Sequence, residues 1–280
     1  RMLPPLIQGK ERACFGVTEP NAGLDTTNLQ TKAEKSGNGY VVHGRKMWTS
    51  TAQTANKILL LARTTPREEV KKKTLGLSAF LVDMRDVIGR SLTVRPIRTM
   101  MNHSATELFF DEMPVAAANR IGEEGEGFKY ILSGLNAERI LISAESIGDA
   151  KWFIQKASSY AKERVVFNRP IGQNQGIQFP ISRAYAQMRS AELMLIEAMR
   201  VFESGDNAGE EANLSKLLSA EAQLAAGDAC LQTFGGFGFA EEYDVERKYR
   251  ESRLYQVAPV PTNLILSFIA EHVLEMPRSY

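Results

Sequence analysis

Ile131, Leu135, Glu138, Ile142 and Glu145 follow one another at intervals of four, three, four and three, so on a helix they share one face. Glu138 interrupts an otherwise apolar stripe. A carboxylate there is either exposed at a helix edge or held where water is scarce, and in the second case desolvation raises its pKa towards the range useful for proton abstraction. Arg139, the next residue, points to another face of the helix. Trp48-Thr49-Ser50-Thr51 offers an aromatic plane beside hydroxyls, which suits either a core tryptophan or the stacking of a flat ring. Phe234-Gly235-Gly236-Phe237-Gly238-Phe239 follows a helical stretch, so it reads as a helix end and turn rather than as the strand-to-helix glycine fingerprint of a dinucleotide fold. His43, His103 and His272 have neither metal-ligand spacing nor a triad arrangement, and GxSxG, HExxH and P-loop motifs are absent. No metal site is expected.

Two kinds of element must position these residues. Up to about Val115 the chain runs in short β-rich stretches: Ala13–Thr18, Leu29–Lys35, Gly39–His43, Ile58–Thr64, Leu77–Val82, Leu92–Pro96 and Glu107–Phe110. Asn38-Gly39 between two of them signals a tight hairpin. From about Gly127 the period becomes helical, with amphipathic stretches near Phe128–Lys162, Phe179–Ser204, Glu210–Thr233 and Leu264–Leu274. Arg164–Gln178, broken by Pro170, Gly172 and Gly176, reads as a loop between long antiparallel helices. The expectation is an α+β protein, with residues 1–123 forming a β-domain and 124–280 a helical domain.

Composition bounds the rest. The 280 residues carry 34 Lys+Arg against 33 Asp+Glu, a net charge of +1, so no overall field draws the chain to nucleic acid or membranes. The Lys71-Lys72-Lys73 triplet reads as a solvated loop. No apolar run approaches the roughly 18 residues of a membrane span. The two cysteines, Cys14 and Cys230, lie far apart in sequence and fit a reducing compartment. An opening on Arg1 points to a chain that starts inside a longer protein.

Four segments together resemble the acyl-CoA dehydrogenase family in order and spacing: Val17-Thr18-Glu19-Pro20-Asn21-Ala22-Gly23, Gly44-Arg45-Lys46-Met47-Trp48-Thr49-Ser50, Glu163-Arg164 to Gln175, and Gln232-Thr233-Phe234-Gly235-Gly236. The resemblance covers essentially the whole chain. It implies the family's middle domain, a β-sandwich or barrel-like fold, followed by its C-terminal antiparallel four-helix bundle. The family's N-terminal helical domain has no counterpart in these residues. The implied function is FAD-dependent α,β-dehydrogenation of an acyl-CoA thioester within fatty acid metabolism and β-oxidation, with an electron-transfer flavoprotein as acceptor. A homodimer or homotetramer is implied, in a bacterial cytoplasm or a mitochondrial matrix.

By the same resemblance, Phe15 to Leu24, including Val17, Thr18 and Gly23, form a flavin-facing loop. Trp48 lies near the isoalloxazine, with Thr49 beside it and Ser50 close to N5. Arg164, Phe167, Asn174 and Gln175 match a stretch that reaches the FAD of a neighbouring subunit, as do Gln232, Phe234, Gly235 and Gly236; Thr262 and Asn263 are further cofactor positions. Leu24, Asn136 and Arg139 match substrate contacts, Leu24 standing where many relatives carry serine. Many members place the catalytic glutamate shortly after an Arg-x-Tyr-Gln motif, but here Arg253-Leu254-Tyr255-Gln256 leads to Pro259 at that place. Branched-chain and long-chain members instead carry it on the early helix of the C-terminal domain, directly before an arginine, and Glu138-Arg139 matches. Other readings are an acyl-CoA oxidase or flavin monooxygenase on the same fold, and a non-catalytic acyl-CoA-binding relative.

Overall fold

The structure is a computed structural model that describes residues 2–101 and 104–279. The chain divides into two compact units, residues 1–133 and 134–280. His103 lies outside the described residues.

The first unit opens with a short helix, α1 (Leu3–Ile7), and is then built from β1 (Ala13–Gly16), β2 (Lys32–Ser36), β3 (Gly39–Ser50), β4 (Lys57–Arg63), β5 (Leu77–Asp83), β6 (Leu92–Pro96), β7 (Ala105–Ala116) and β8 (Arg120–Ile121). The strand order is β6-β7-β3-β2-β4-β5-β8, with β1 parallel to β4. The other pairings are antiparallel except for one parallel bridge, Lys32 to Arg63, which joins β2 to β4. Along β4 the run Ile58-Leu59-Leu60-Leu61-Ala62 is apolar on both faces, the mark of a strand covered on each side. Tyr40 on β3 meets Phe80 on β5 edge to face at 5.0 Å. These strands are three places apart in the sheet, so the sheet folds over one core holding Val42, Ile58, Leu60, Leu108, Phe110 and Cys14. A second cluster gathers Val17, Ala22, Leu29, Leu61, Leu77 and Ile131.

The hairpin expected at Asn38-Gly39 exists, shifted by one residue. Ser36 pairs with Gly39, and the turn is Gly37-Asn38, with Gly37 at φ 54. β3 runs to Ser50, well past the expected His43, because it pairs with β7 along almost its whole length. The register shifts between Val42 and Gly44 and again between Lys46 and Thr49. Each bulge re-aims the side chains beyond it.

In the second unit lie most of the long helix α2 (Gly127–Glu163), together with α3 (Gln175–Glu203) and α4 (Gly209–Phe234). Their core is made mainly of small and medium side chains, Ala150, Phe153, Ala184, Met188, Ala191, Leu195, Ala226 and Cys230, which let the helices approach closely. The break expected over Arg164–Gln178 is shorter. It holds a two-stranded ribbon, β9 (Val165–Val166) with β10 (Arg169–Pro170), and α3 is helical from Gln175 although Pro180 lies within it.

Two expectations at the C-terminal end need correction. A helix not seen in the sequence, α5 (Val245–Ser252), follows the glycine-rich turn, and the stretch Leu264–Leu274 is α6 (Thr262–Phe268) continued by a π-helical turn, Ile269–Val273. α5 escaped notice because its sequence, VERKYRES, is almost entirely polar. Burial of Val245 anchors it, and Arg247–Glu251 and Arg250–Glu246 pairs cross its surface. Exposed pairs of this kind contribute little, whereas full burial of a valine-sized or larger apolar side chain is worth roughly 1.5–3 kcal/mol, so the anchor outweighs the ladder.

Candidate functional site

The expected site residues form three groups. In the first unit, β1 leads through Val17 and Thr18 into the loop carrying Gly23 and Leu24. Val17 is buried, Thr18 half-buried, and Phe15 and Leu24 are exposed at 41% and 59%. The Met47 N–H donates to the Thr18 carbonyl at 2.8 Å, which ties this segment to β3. Immediately after, at the second bulge, Trp48 takes φ 61 and its indole stands 55% exposed. The same bulge turns Thr49 inward. Its main-chain oxygen accepts from the Thr106 hydroxyl at 2.7 Å, while its own hydroxyl is buried without a partner among the described residues. Ser50 follows, half-buried. A tryptophan held outward by a left-handed backbone is not serving the core, which separates the two readings of Trp48-Thr49-Ser50.

Behind this surface lies an ion pair absent from the sequence-based expectations. Lys46 is fully buried, and its Nζ reaches Glu19 Oε1 at 2.8 Å and the Val17 carbonyl at 2.9 Å. Glu19 also accepts from the Gln30 and Thr31 main-chain N–H groups at 2.6 and 2.9 Å. Burial pulls the Lys46 ammonium down to about 8 against the opposing charge of Glu19. Burial would raise the Glu19 carboxyl, but Lys46 and the hydrogen bonds from Thr31 and Gln30 hold it below the ordinary range. Each charge thus favours the ionised form of the other against the cost of burial. The alternation of β3 could have flagged Lys46 as inward-pointing.

A second group surrounds Glu138 on α2. The carboxyl is half-buried, and burial raises its pKa above the ordinary carboxylate range while Arg139 opposes the shift. Among the described residues none hydrogen-bonds this carboxylate or lies within ion-pair distance of it. Arg139 turns to Asn136, donating to Oδ1 at 2.6 Å, and its Nε is buried without a partner among the described residues. Burial, together with the charge of Arg139, lowers the Lys216 ammonium to about 8. Lys216 is fully buried on α4 and donates to the carbonyls of Tyr255 and Val260 at 2.5 and 2.7 Å, on either side of Pro259. The Tyr255 hydroxyl donates to Glu145, and the Thr262 hydroxyl bonds the Gln256 carbonyl at 3.3 Å. Asn263 is exposed. Sequence reasoning missed Lys216, since nothing in its spacing distinguishes it from a surface lysine.

The third group gathers at the C-terminal end of α2. A groove of about 550 Å³ is lined by Arg164, Asn174, Phe234 and Gly236, joined by Tyr160 and Phe237. Tyr160 stacks on Phe234 at 4.1 Å, and the Arg164 guanidinium lies over the Phe237 ring at 5.5 Å. The Asn174 side chain is engaged by Arg169 and Ile171. Phe167, at the ribbon tip with φ 52, is 94% exposed, and Gln175, Gln232 and Gly235 are exposed as well. Of the histidines, His43 accepts from the Glu112 N–H at 3.4 Å and lines a hollow with Glu19 and Thr31, and His272 packs on Phe268.

The first unit thus carries an outward indole beside hydroxyls, and the second a half-buried carboxylate with no partner among the described residues. Comparison with known proteins shows the family. Residues 14–113 match the acyl-CoA dehydrogenase middle domain and residues 125–274 the acyl-CoA dehydrogenase C-terminal domain. The chain is 31% identical to acyl-CoA dehydrogenase fadE12 of Mycobacterium bovis, over 100% of this chain and 72% of that protein. It is 32% identical to the mitochondrial short/branched chain specific acyl-CoA dehydrogenase of Rattus norvegicus, over 97% of this chain and 62% of that protein. Butyryl-CoA dehydrogenase from Megasphaera elsdenii superposes with a TM-score of 0.92 at 28% identity, covering 98% of this chain and 70% of that one. The chain belongs to the acyl-CoA dehydrogenase family, whose members are flavoprotein oxidoreductases.

Proposed function

We propose that the protein uses FAD to desaturate an acyl-CoA thioester between its α and β carbons, with Glu138 as the base. The observation that carries this is the Glu138 carboxyl: half-buried in an apolar stripe, raised in pKa, and free of any hydrogen-bonding or ion-pairing partner among the described residues. Desolvation without a pairing cation makes such a carboxylate a stronger base than one on the surface.

The residues present fit FAD. Trp48 offers an exposed ring face, Thr49 a buried hydroxyl lacking a partner among the described residues, and Arg164 an exposed guanidinium of the kind that pairs with phosphate. A Cβ added at Gly23, Gly235 or Gly236 would meet nothing within 4 Å, so the backbone there is open to a ligand. When bound, FAD supplies the two-electron acceptor, at its N5, for the hydride leaving the β carbon. Glu138 takes the α proton, and the electron pair of that C–H bond becomes the new C=C bond. Thr18, Trp48 and Ser50 orient the ring, while Asn136, Arg139 and Leu24 meet substrate.

An electron-transfer flavoprotein would accept the electrons. Assembly from identical subunits is supported by the length of α2. Glu138 and the end of the helix at Glu163 are 25 residues apart, roughly 38 Å at about 1.5 Å per residue. The Arg164 groove thus lies too far from Glu138 to hold the same reacting ring, which suits service to the FAD of a neighbouring copy.

The test is anaerobic mixing of the full-length protein with a panel of acyl-CoA thioesters while the visible flavin band is followed. Bleaching in wild type, slowed roughly 10²–10⁴-fold in Glu138→Gln, is the expected result. Equal bleaching in both would move the base elsewhere. No bleaching in either would favour the acyl-CoA-binding reading that Pro259 motivates.

A further inference from the structure

The Glu19–Lys46 pair invites a question of purpose. Taking two charges out of water costs about as much as their attraction returns, so a buried pair is weak as a source of stability, and an apolar pair of similar volume would serve a core as well. What this pair does instead is join main chain. Through Lys46 Nζ and the two Glu19 oxygens it connects the Val17 carbonyl with the Gln30 and Thr31 N–H groups. The next residue of β3, Met47, holds the Thr18 carbonyl, and the residue after that is Trp48 with its left-handed backbone. A second buried cation, Arg63, fixes the far end of the same loop, donating to the Thr27 carbonyl at 2.7 Å and the Leu29 carbonyl at 3.3 Å. The loop from Val17 to Thr31 is thus held at both ends by buried cations, while Gly23 and Leu24 between them are exposed and Thr18 is half-buried.

We propose that Glu19 and Lys46 form a positioning clasp that sets the loop carrying Thr18 against the bulge carrying Trp48, and so shapes the surface that receives the flavin ring. The proposal rests on the FAD reading above and adds to it a pair of buried residues that act through the main chain they hold. Opposite charge strengthens the bonds made at this one buried point, where a carboxylate accepts at both oxygens and an ammonium donates to two segments.

The experiment measures the FAD dissociation constant and the visible spectrum of bound flavin in full-length wild type, Lys46→Met, Lys46→Arg, Glu19→Gln and Trp48→Phe, with thermal unfolding of each. Lys46→Met and Glu19→Gln should bind FAD at least about tenfold more weakly, with a shifted spectrum, and Lys46→Arg, which keeps the charge and the donors, should recover part of the loss. Should Lys46→Met fail to fold, the near-isosteric Glu19→Gln decides. Wild-type protein that takes up no FAD overturns the cofactor reading and the clasp with it. FAD uptake weakened by Trp48→Phe but unchanged, in affinity and spectrum, by Glu19→Gln and Lys46→Met overturns the clasp alone.

Discussion

Glu138 has a pH signature that separates it from an ordinary surface carboxylate. Its pKa is raised on folding by burial, so between the unfolded value of about 4.3 and its folded value the native state binds more protons than the unfolded state. The cost of holding it ionised is therefore absent below that window and fully present above it. Thermal unfolding of wild type and Glu138→Gln compared at acid and neutral pH should show the variant gaining relative stability as pH rises. The rate of flavin reduction should rise with pH through a midpoint above the ordinary carboxylate range, since only the ionised base can take the α proton; a stopped-flow pH profile reads this directly. At this scale the sequence was informative where periodicity applied. The stripe around Glu138 could be read from its spacing, but its alternatives, helix edge or dry pocket, could not be separated, because burial depends on elements distant in sequence. Lys216 went unseen for the same reason: a lysine's composition does not say which carbonyls will close around it. Lys46 was missed because the expected strand stopped at His43, short of it.

Among the elements, α2 has the most demanding start. A Cβ on Gly127 would sit 2.3 Å from the Ala79 nitrogen and 2.5 Å from the Ser78 carbonyl carbon, both main-chain atoms of β5. No rotamer change relieves such a clash, so Gly127→Ala should cost about 1–3 kcal/mol, the range of core overpacking, measured as a lowered midpoint in chemical denaturation. The three long helices and the seven longer strands were visible in the sequence from their apolar residues, spaced at the period of the element in some and, in β4 and α4, buried on more than one face. α5 was hidden because its stripe is only Val245 and Tyr249, too short to stand out among polar neighbours. β8 and the β9–β10 ribbon were hidden because two residues are too few to show alternation. The extension of β3 through Trp48 was hidden by the bulges, which break the period of two at the point where the candidate ring-binding surface is made.

At the scale of the molecule, α3 carries a second apolar face. Its buried face is Ala184, Met188, Ala191, Leu195 and Ala198, yet Leu193, Ile196, Met199 and Phe202 are exposed on the helix as well. In the homo-oligomer proposed above, another copy would cover this face. Sedimentation velocity should give an oligomer for the wild type, and Leu193→Asp with Ile196→Asp should shift it towards monomer. Another property follows from where the sulfur atoms sit. Cys14 and Cys230, the two cysteines of the chain, are both buried, and burial pushes each thiol up to about 12. Without thiolate or access, neither can attack a reagent at neutral pH. A colourless native reaction with a chromogenic disulfide, becoming two equivalents per chain in denaturant, is the expected titration. These 280 residues are thereby a ready host for reporter chemistry: one cysteine introduced on their surface would react where Cys14 and Cys230 do not, and a dye, spin label or cross-linker could be placed without removing either of them.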